Sequence, residues 1–278
     1  MDNAKNNCLV CGSQMVQTHS WLACCPSCQF LRSSLTAGAG TGVGGLETLR
    51  RINFKTILNK LENISHLRNK TLLEIGCSTG LFLEEYKRVG INSIGLEPEK
   101  RKADIARANG HDVIDGFFPD AVPQGQKYDI IVFNDVFEHL PDPVAALHAC
   151  YHHLSPSGLL VINIPDSEGF LYRLSKILSW LGMDAPFERL WQKQFSSPHI
   201  SYFQSRNLQK LVEGRTLLKL LESDRLVTMT AQGLKQRIKS STPEPFASLI
   251  FMPVLLVAIF QRILPSDILL HIYRKNEE

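Results

Sequence analysis

Little in this 278-residue chain is extreme. It has no surplus of one charge: 30 basic and 27 acidic residues leave +3, too small a balance to argue for a nucleic-acid partner from composition. No apolar stretch reaches the ~20 residues that a membrane-spanning helix needs. The apolar run Leu249–Phe260 is broken by Pro253 and ends at Gln261 and Arg262. An apolar leader is missing too, since residues 1–7 are mostly polar, and the expectation is a cytoplasmic chain. With 44% hydrophobic residues, 21% charged residues and a mean hydropathy of −0.06, the disordered, collagen-like and polytopic membrane classes are excluded. The length fits one large domain or two modest ones.

What is present begins with cysteine. Five of the seven cysteines fall within the first 28 residues. Cys8-Leu-Val-Cys11 and Cys25-Pro-Ser-Cys28 are two Cys-x-x-Cys pairs with residues 12–24 between them. Two residues between thiols let one tight turn aim both sulfurs at a common point, and four such thiolates close a tetrahedral zinc site. The expectation is a structural Zn2+ on Cys8, Cys11, Cys25 and Cys28, with Cys24 left over. The segment is too short to build a core, so the metal would supply its folding energy.

The expected organisation is a zinc ribbon over residues 1–35, a Gly-rich linker over 36–48, the main domain over 49–240, and an apolar helix with a last sheet strand over 241–278. From residue 49 short apolar runs alternate with helical periodicity: strands at 71–75, 93–96, 112–115, 128–133 and 159–164, helices at 49–67, 81–89, 100–108 and 144–153. That alternation predicts a doubly wound α/β fold with a mostly parallel sheet. Further helices are expected at 168–181, 205–213 and 225–238, strands at 217–222 and 267–274, and an irregular 184–201.

Leu72-Leu73-Glu74-Ile75-Gly76-Cys77-Ser78-Thr79-Gly80-Leu81 ends a strand, turns on glycines and opens a helix. Such a turn brings a ligand close to unpaired helix N–H groups. A dinucleotide fingerprint Gly-x-Gly-x-x-Gly fails, because Ser78 and Leu81 stand where glycine is needed. Seventeen positions after Gly80, Glu97-Pro98 ends the next strand, where a carboxylate can accept from both hydroxyls of a ribose.

These stretches, with Tyr128-Asp-Ile-Ile-Val-Phe-Asn-Asp-Val-Phe-Glu-His139 and Leu154-Ser-Pro-Ser-Gly158, resemble successive motifs of class I S-adenosylmethionine-dependent methyltransferases. The resemblance spans about residues 50–230 and implies a Rossmann-like seven-stranded sheet preceded by the small zinc ribbon. It implies cofactor contacts from Glu74, Gly76, Cys77 and Gly80 along the methionine part, and from Glu97 and Pro98 at the ribose. Asp115, Gly116 and Phe117 would flank the adenine, and Asn134 would sit beside the sulfonium. The cysteine pairs resemble a subgroup that modifies sugars or polysaccharide precursors.

Asp135-Val-Phe-Glu138-His139 follows the fourth strand at the carboxyl edge of the sheet, where such folds place their sites. If a helical turn starts there, Asp135, Glu138 and His139 share a face and could hold Mg2+ or supply a base. Ubiquinone-biosynthesis O-methyltransferases and small-RNA 3′-end methyltransferases look similar here, with a longer first acid. Catalytic candidates are Glu138, His139 and His199, the last in a Pro198-His199-Ile-Ser-Tyr202-Phe203 segment that resembles one facing the same pocket. The expected activity is methyl transfer to a small molecule or a glycan or lipid-linked precursor. An RNA acceptor, or a non-catalytic cofactor-binding module, is the alternative, and nucleic acid is disfavoured because Lys100, Arg101, Lys102 and Arg107 make no basic stripe. Residues 245–264 are expected to meet a membrane surface, the core or a second copy.

Overall fold

The computed structural model describes residues 7–36, 47–230, 234, 238, 245–260 and 263–276. Three short strands, β1 (Val16–His19), β2 (Leu22–Cys24) and β3 (Leu31–Ser33), follow the first cysteine pair. After the expected linker, of which 37–46 lie outside the described residues, come α1 (Glu47–Ile64), β4 (Thr71–Ile75), α2 (Leu81–Arg88) and β5 (Asn92–Glu97). The chain continues through α3 (Lys100–Ala108), β6 (Asp112–Asp115), β7 (Tyr128–Asn134), α4 (Pro143–His153) and β8 (Leu154–Pro165). It ends with α5 (Phe170–Trp180), α6 (Ala185–Leu190), β9 (Ser201–Tyr202), α7 (Ser205–Arg215), β10 (Leu218–Arg225), α8 (Phe246–Phe260) and β11 (Ile268–Lys275).

Seven strands form one sheet in the order β10-β11-β8-β7-β4-β5-β6. The five strands β8 to β6 run parallel, and β11 is antiparallel to both β8 and β10. Both faces are covered, so the strands are apolar at nearly every position. Ile131, Phe133, Leu160 and Ile162 pack with α4 and α7 on one face. Ile130, Val132, Leu159 and Val161 pack with Phe54, Ile57 and Leu61 of α1 and with Phe82 and Tyr86 of α2 on the other. Sheet order reverses between β4 and β7, and the crevice at the carboxyl ends of those two strands is where such a sheet takes its ligand.

The cysteine segment shares its core with this domain. Cys8, Val10, Cys25 and Phe30 are buried in the same cluster as Leu208 and Leu211 of α7. Trp21, Leu22 and Leu31 pack with Tyr172, Phe187, Trp191 and Tyr202. The small sheet β1-β2-β3 takes β9 as its fourth strand, through Leu31 opposite Tyr202 and Arg32 opposite Ser201.

Three local differences from the sequence reading have physical causes. The strand expected from residue 159 begins at Leu154, because Leu154 pairs with Tyr128 and the ladder continues past an irregularity where Ser157 takes φ +59°. The irregular 184–201 holds a helix of six residues, α6, and β9 is only two residues long, beneath the reach of periodicity. A helix does not start at Arg225, because 218–225 pairs with β11 along its length; most of 231–244 lies outside the described residues.

Candidate functional site

The β4–α2 turn is built for close backbone approach. Gly80 caps α2 at φ +85° with no side-chain cap, and a Cβ there would stand 2.6 Å from His111 Cδ2. The free N–H groups of the first turn of α2 therefore face the crevice end of the sheet. Ser78 adopts φ +52° without being glycine, a conformation that costs on the order of 1 kcal/mol. Its N–H donates to Glu97 Oε2 at 2.9 Å, and the N–H of Glu99 donates to Glu97 Oε1 at 2.9 Å. Glu97, buried at the end of β5, thus pins the strained loop and the next turn together.

Glu74, next to last in β4, is only 3% exposed. Asn134, at the end of β7 across the crevice, donates from Nδ2 to Glu74 Oε1 at 3.3 Å, and Asn163 donates to Asn134 Oδ1 at 3.4 Å. Glu74 Oε2 is buried with no partner. Burial pushes the Glu74 carboxyl up to about 8, against the pull of Asn134 and of Arg50 on α1. A half-satisfied buried carboxyl facing the switch point fits a ligand that brings a cation or a donor to it.

The expected adenine edge is less closed. Gly116 N–H donates to Glu97 O at 3.2 Å, but Asp115 is paired with Arg107 at 2.6 Å and Phe117 is 72% exposed. Cys77 is buried beneath the loop and Pro98 is exposed.

The third group comes from two distant segments. A 3-10 turn at Phe137–His139 buries Glu138, and the chain returns at residues 198–203 to bring His199 beside it. Glu138 Oε1 lies 3.9 Å from both His139 Nε2 and His199 Nε2, and the two imidazoles stand edge to face at 4.8 Å. Burial drives Glu138 well above the ordinary carboxyl range and His199 well below the ordinary imidazole value, and it lowers His139. Burial thus disfavours charge on all three side chains. His139 Nδ1 sits 2.8 Å from Pro198 O, which fixes the proton on Nδ1 and leaves Nε2 as the basic nitrogen. Glu138 Oε2 and His199 Nδ1 are buried without partners. Asp135, at φ +53°, pairs with Arg50 at 3.7 Å and falls outside the ligand grouping of the trio, yet its charge still pushes Glu138 and His139 upward. The helical face expected for Asp135, Glu138 and His139 does not form, and among the described residues the grouping here whose ligand atoms could reach one ion is Glu138, His139 and His199.

The four ribbon thiols converge. Cys8 and Cys28 Sγ are 3.5 Å apart, Cys11 and Cys25 Sγ are 3.4 Å apart, and all four lie within 4.8 Å of one another. Tetrahedral Zn–S bonds of ~2.3 Å set sulfur–sulfur distances near ~3.8 Å, so the donor set fits zinc. Cys24 Sγ points elsewhere, to Cys25 O and Gln29.

The sequence reading missed Arg50, Gln192 and Ser33. Gln192 Nε2 lies 2.9 Å from His199 Nε2, and Ser33 Oγ donates to His199 O at 2.7 Å. No motif marks them, because each reaches the site only through tertiary packing. Two cavities, of about 440 Å³ at His148, Tyr151 and Arg215 and about 220 Å³ at Trp21, Phe187 and Lys193, involve none of the residues above.

A family model described as a methyltransferase domain matches residues 47–217. A ubiquinone biosynthesis O-methyltransferase of Cereibacter sphaeroides is 33% identical over 98 residues, 33% of this chain and 40% of that protein. The chain spans about half the length, or less, of the curated relatives it matches. A solved structure from Galdieria sulphuraria, described as a sarcosine dimethylglycine methyltransferase, is 17% identical with a TM-score of 0.57, covering 83% of this chain and 87% of that one. The plantazolicin methyltransferase BpumL, solved with SAH, is 14% identical with a TM-score of 0.54, covering 84% and 86%. These likenesses agree on the Rossmann-like fold.

Proposed function

This chain belongs to the methyltransferase-domain family, and from that premise we propose that it transfers a methyl group from S-adenosylmethionine to an oxygen of a small-molecule acceptor. The observation that carries the reading is Glu74: a buried carboxyl with one orphaned oxygen at the switch point, ready for the ammonium of the cofactor's methionine part. Glu97 would hold the ribose hydroxyls while keeping the Ser78 loop in place, and Asn134 would lie beside the sulfonium. Oxygen as the accepting atom is supported by the O-methyltransferase names of the curated relatives.

When bound, S-adenosylmethionine supplies an already activated methyl, so alignment is most of what the protein must add. His139 Nε2 takes the acceptor proton, with Nδ1–H held on Pro198 O. His199 and the buried Glu138 shape the wall beside it and exclude water. Incubating the protein with methyl-labelled cofactor and extract from cells lacking it tests the reading. One labelled product absent with His139→Ala supports it; cofactor binding with no labelled product would leave a binding module instead.

We assign Zn2+ to Cys8, Cys11, Cys25 and Cys28 as a closed structural site, since four thiolates leave no position for water. Mg2+ fits poorly. With Asp135 turned to Arg50, one carboxylate and two imidazoles remain, a nitrogen-rich set unsuited to a hard, oxygen-seeking cation, and no step runs through it.

For the acceptor we favour a lipid-linked molecule met at an anionic membrane surface. No described helix is long and apolar enough to cross a membrane. The uncharged α8 exposes Met252, Leu256 and Ile259, and its Leu255, like Leu171 of α5, packs against the cluster of Met229 and Ala258. α5 itself exposes Ile177 and Trp180 beside Arg173 and Lys176, with no acidic residue in 170–183. Apolar surface with basic residues suits anionic headgroups. Flotation with phosphatidylglycerol vesicles but not phosphatidylcholine vesicles supports this; a dimer in solution that ignores both would make the face a subunit contact.

A further inference from the structure

The ribbon touches one side of the crevice. Ser33, at the end of β3, is buried, and its N–H donates to Ile200 O at 2.8 Å while its Oγ donates to His199 O at 2.7 Å. Arg32 Nη2 donates to Pro141 O at 2.8 Å, just past the turn that carries Glu138 and His139. Asn207 Nδ2 donates to Cys28 O at 3.1 Å, tying a metal-site residue to the start of α7. From the opposite side, Ile200 N–H donates to Glu138 O at 2.8 Å, and His199 N–H donates to Trp191 O at 3.0 Å. The backbone of His199 is therefore held between the edge of the ribbon sheet and the Glu138 turn. Pro198 O, which fixes the His139 tautomer, belongs to the same strap. Among the described residues no hydrogen bond joins 7–36 to Glu74, to the 76–80 loop or to Glu97.

We propose that the cysteine ribbon is the positioning element of the acceptor side of the site, with Ser33 as the positioning residue. Its edge strand sets where His199 and the Pro198 carbonyl stand, and so where His139 Nε2 points, while the cofactor side is independent of it. Filling of the four-thiol site then governs methyl transfer without governing cofactor affinity. This rests on the reading that His139 and His199 face the acceptor. It gives the ribbon a role that folding energy alone does not require: the thiols order the turns, the turns fix β3, and β3 fixes β9 and His199.

The test uses full-length, 15N-labelled protein and S-adenosylhomocysteine as the probe. His139→Gln and His199→Gln assign the two imidazole signals. In Ser33→Ala both ring signals move and turnover on cell extract falls about tenfold, the effect of one lost buried hydrogen bond. The dissociation constant for S-adenosylhomocysteine stays within twofold, and Ser33→Thr, which keeps the hydroxyl, restores signals and rate. Stripping zinc from the wild type moves the same two ring signals further. Ring signals that stay in place in Ser33→Ala, or a dissociation constant that weakens in step with the rate, overturn the proposal. Ring signals that move while turnover is unchanged leave the positioning intact and remove the acceptor-side role of the histidines. The two readings thus fail separately.

Discussion

Cofactor binding should release a proton from Glu74. In the free protein burial holds this carboxyl near about 8, so at pH 6.5 it is almost wholly protonated. An ammonium against Oε2, the oxygen that now lacks a partner, would favour the charged form and return the carboxyl toward its ordinary value. Each unit of that shift is ~1.4 kcal/mol of coupling. With a free value of about 8, affinity for S-adenosylhomocysteine should climb about 25-fold from pH 6.0 to 7.5, a range below the titration of the ligand's own amine. Titration calorimetry at pH 6.5 in two buffers of different ionisation enthalpy should count about one proton released per ligand. Glu74→Gln should release none and show a flat profile. The stability of the free protein carries the matching sign. A raised folded value means that stability is complete below the unfolded value of about 4.5 and is lost as pH rises through about 8. The variant should be spared that loss. Equal proton release by wild type and variant, or a wild-type affinity that ignores pH, refutes the placement of the ammonium at Glu74.

Glu97→Ala should weaken S-adenosylhomocysteine binding about 30- to 150-fold, because it removes a charge-assisted contact and frees the strained Ser78 amide; an unchanged dissociation constant sinks the ribose assignment. Elemental analysis should find one zinc per chain, lost in Cys11→Ser and retained in Cys24→Ser, and loss in both would mean that Cys24 is a ligand. His139→Ala should keep cofactor affinity within a few-fold yet slow turnover at least about a hundredfold, and a chelator that leaves the ribbon zinc in place should leave the wild-type rate alone. His199 is held neutral by burial, with a folded value below the unfolded ~6.5, so its share of stability is complete above pH ~6.5 and drains away as pH falls below it. Melting temperatures between pH 7 and 5 should therefore fall less in His199→Gln than in wild type, and parallel curves would rule out a buried neutral imidazole.

Where the proposed cofactor residues stand in the fold could be read in advance because their placement is local. Glu74, Gly80 and Glu97 belong to one strand–helix–strand unit, whose periodicity fixes which end of the sheet each residue reaches. Where local geometry departs from a regular element, the reading loses its grip. Asp135 was expected on a helical face, but its left-handed backbone comes before a 3-10 turn that starts only at Phe137, so helical spacing does not apply. Phe117 follows Gly116 at φ +133° and is carried into solvent, which no composition rule foresees. β9 is too short for any period, yet it decides how the ribbon meets the catalytic domain.

The proposed acceptor half has the opposite character, and the reason is chain topology. His199 meets Glu138 only after the chain has run through β8, α5 and α6, and it meets Ser33 across a separation of 166 residues. Each of those contacts depends on the packing of Trp21, Leu31, Trp191 and Tyr202, which clamps the ribbon onto the strap. Buried polar groups in such a place are held only if the surrounding backbone is fixed from more than one side, since an unpaired imidazole or carboxyl costs stability. Here one side is the Glu138 turn and the other is the edge of the ribbon sheet, whose order the proposed four-thiol site would set. If the cofactor is held by the contiguous β4–α2–β5 unit, as proposed, acceptor geometry can vary through the ribbon without disturbing it, because no hydrogen bond joins ribbon and 76–80 loop among the described residues.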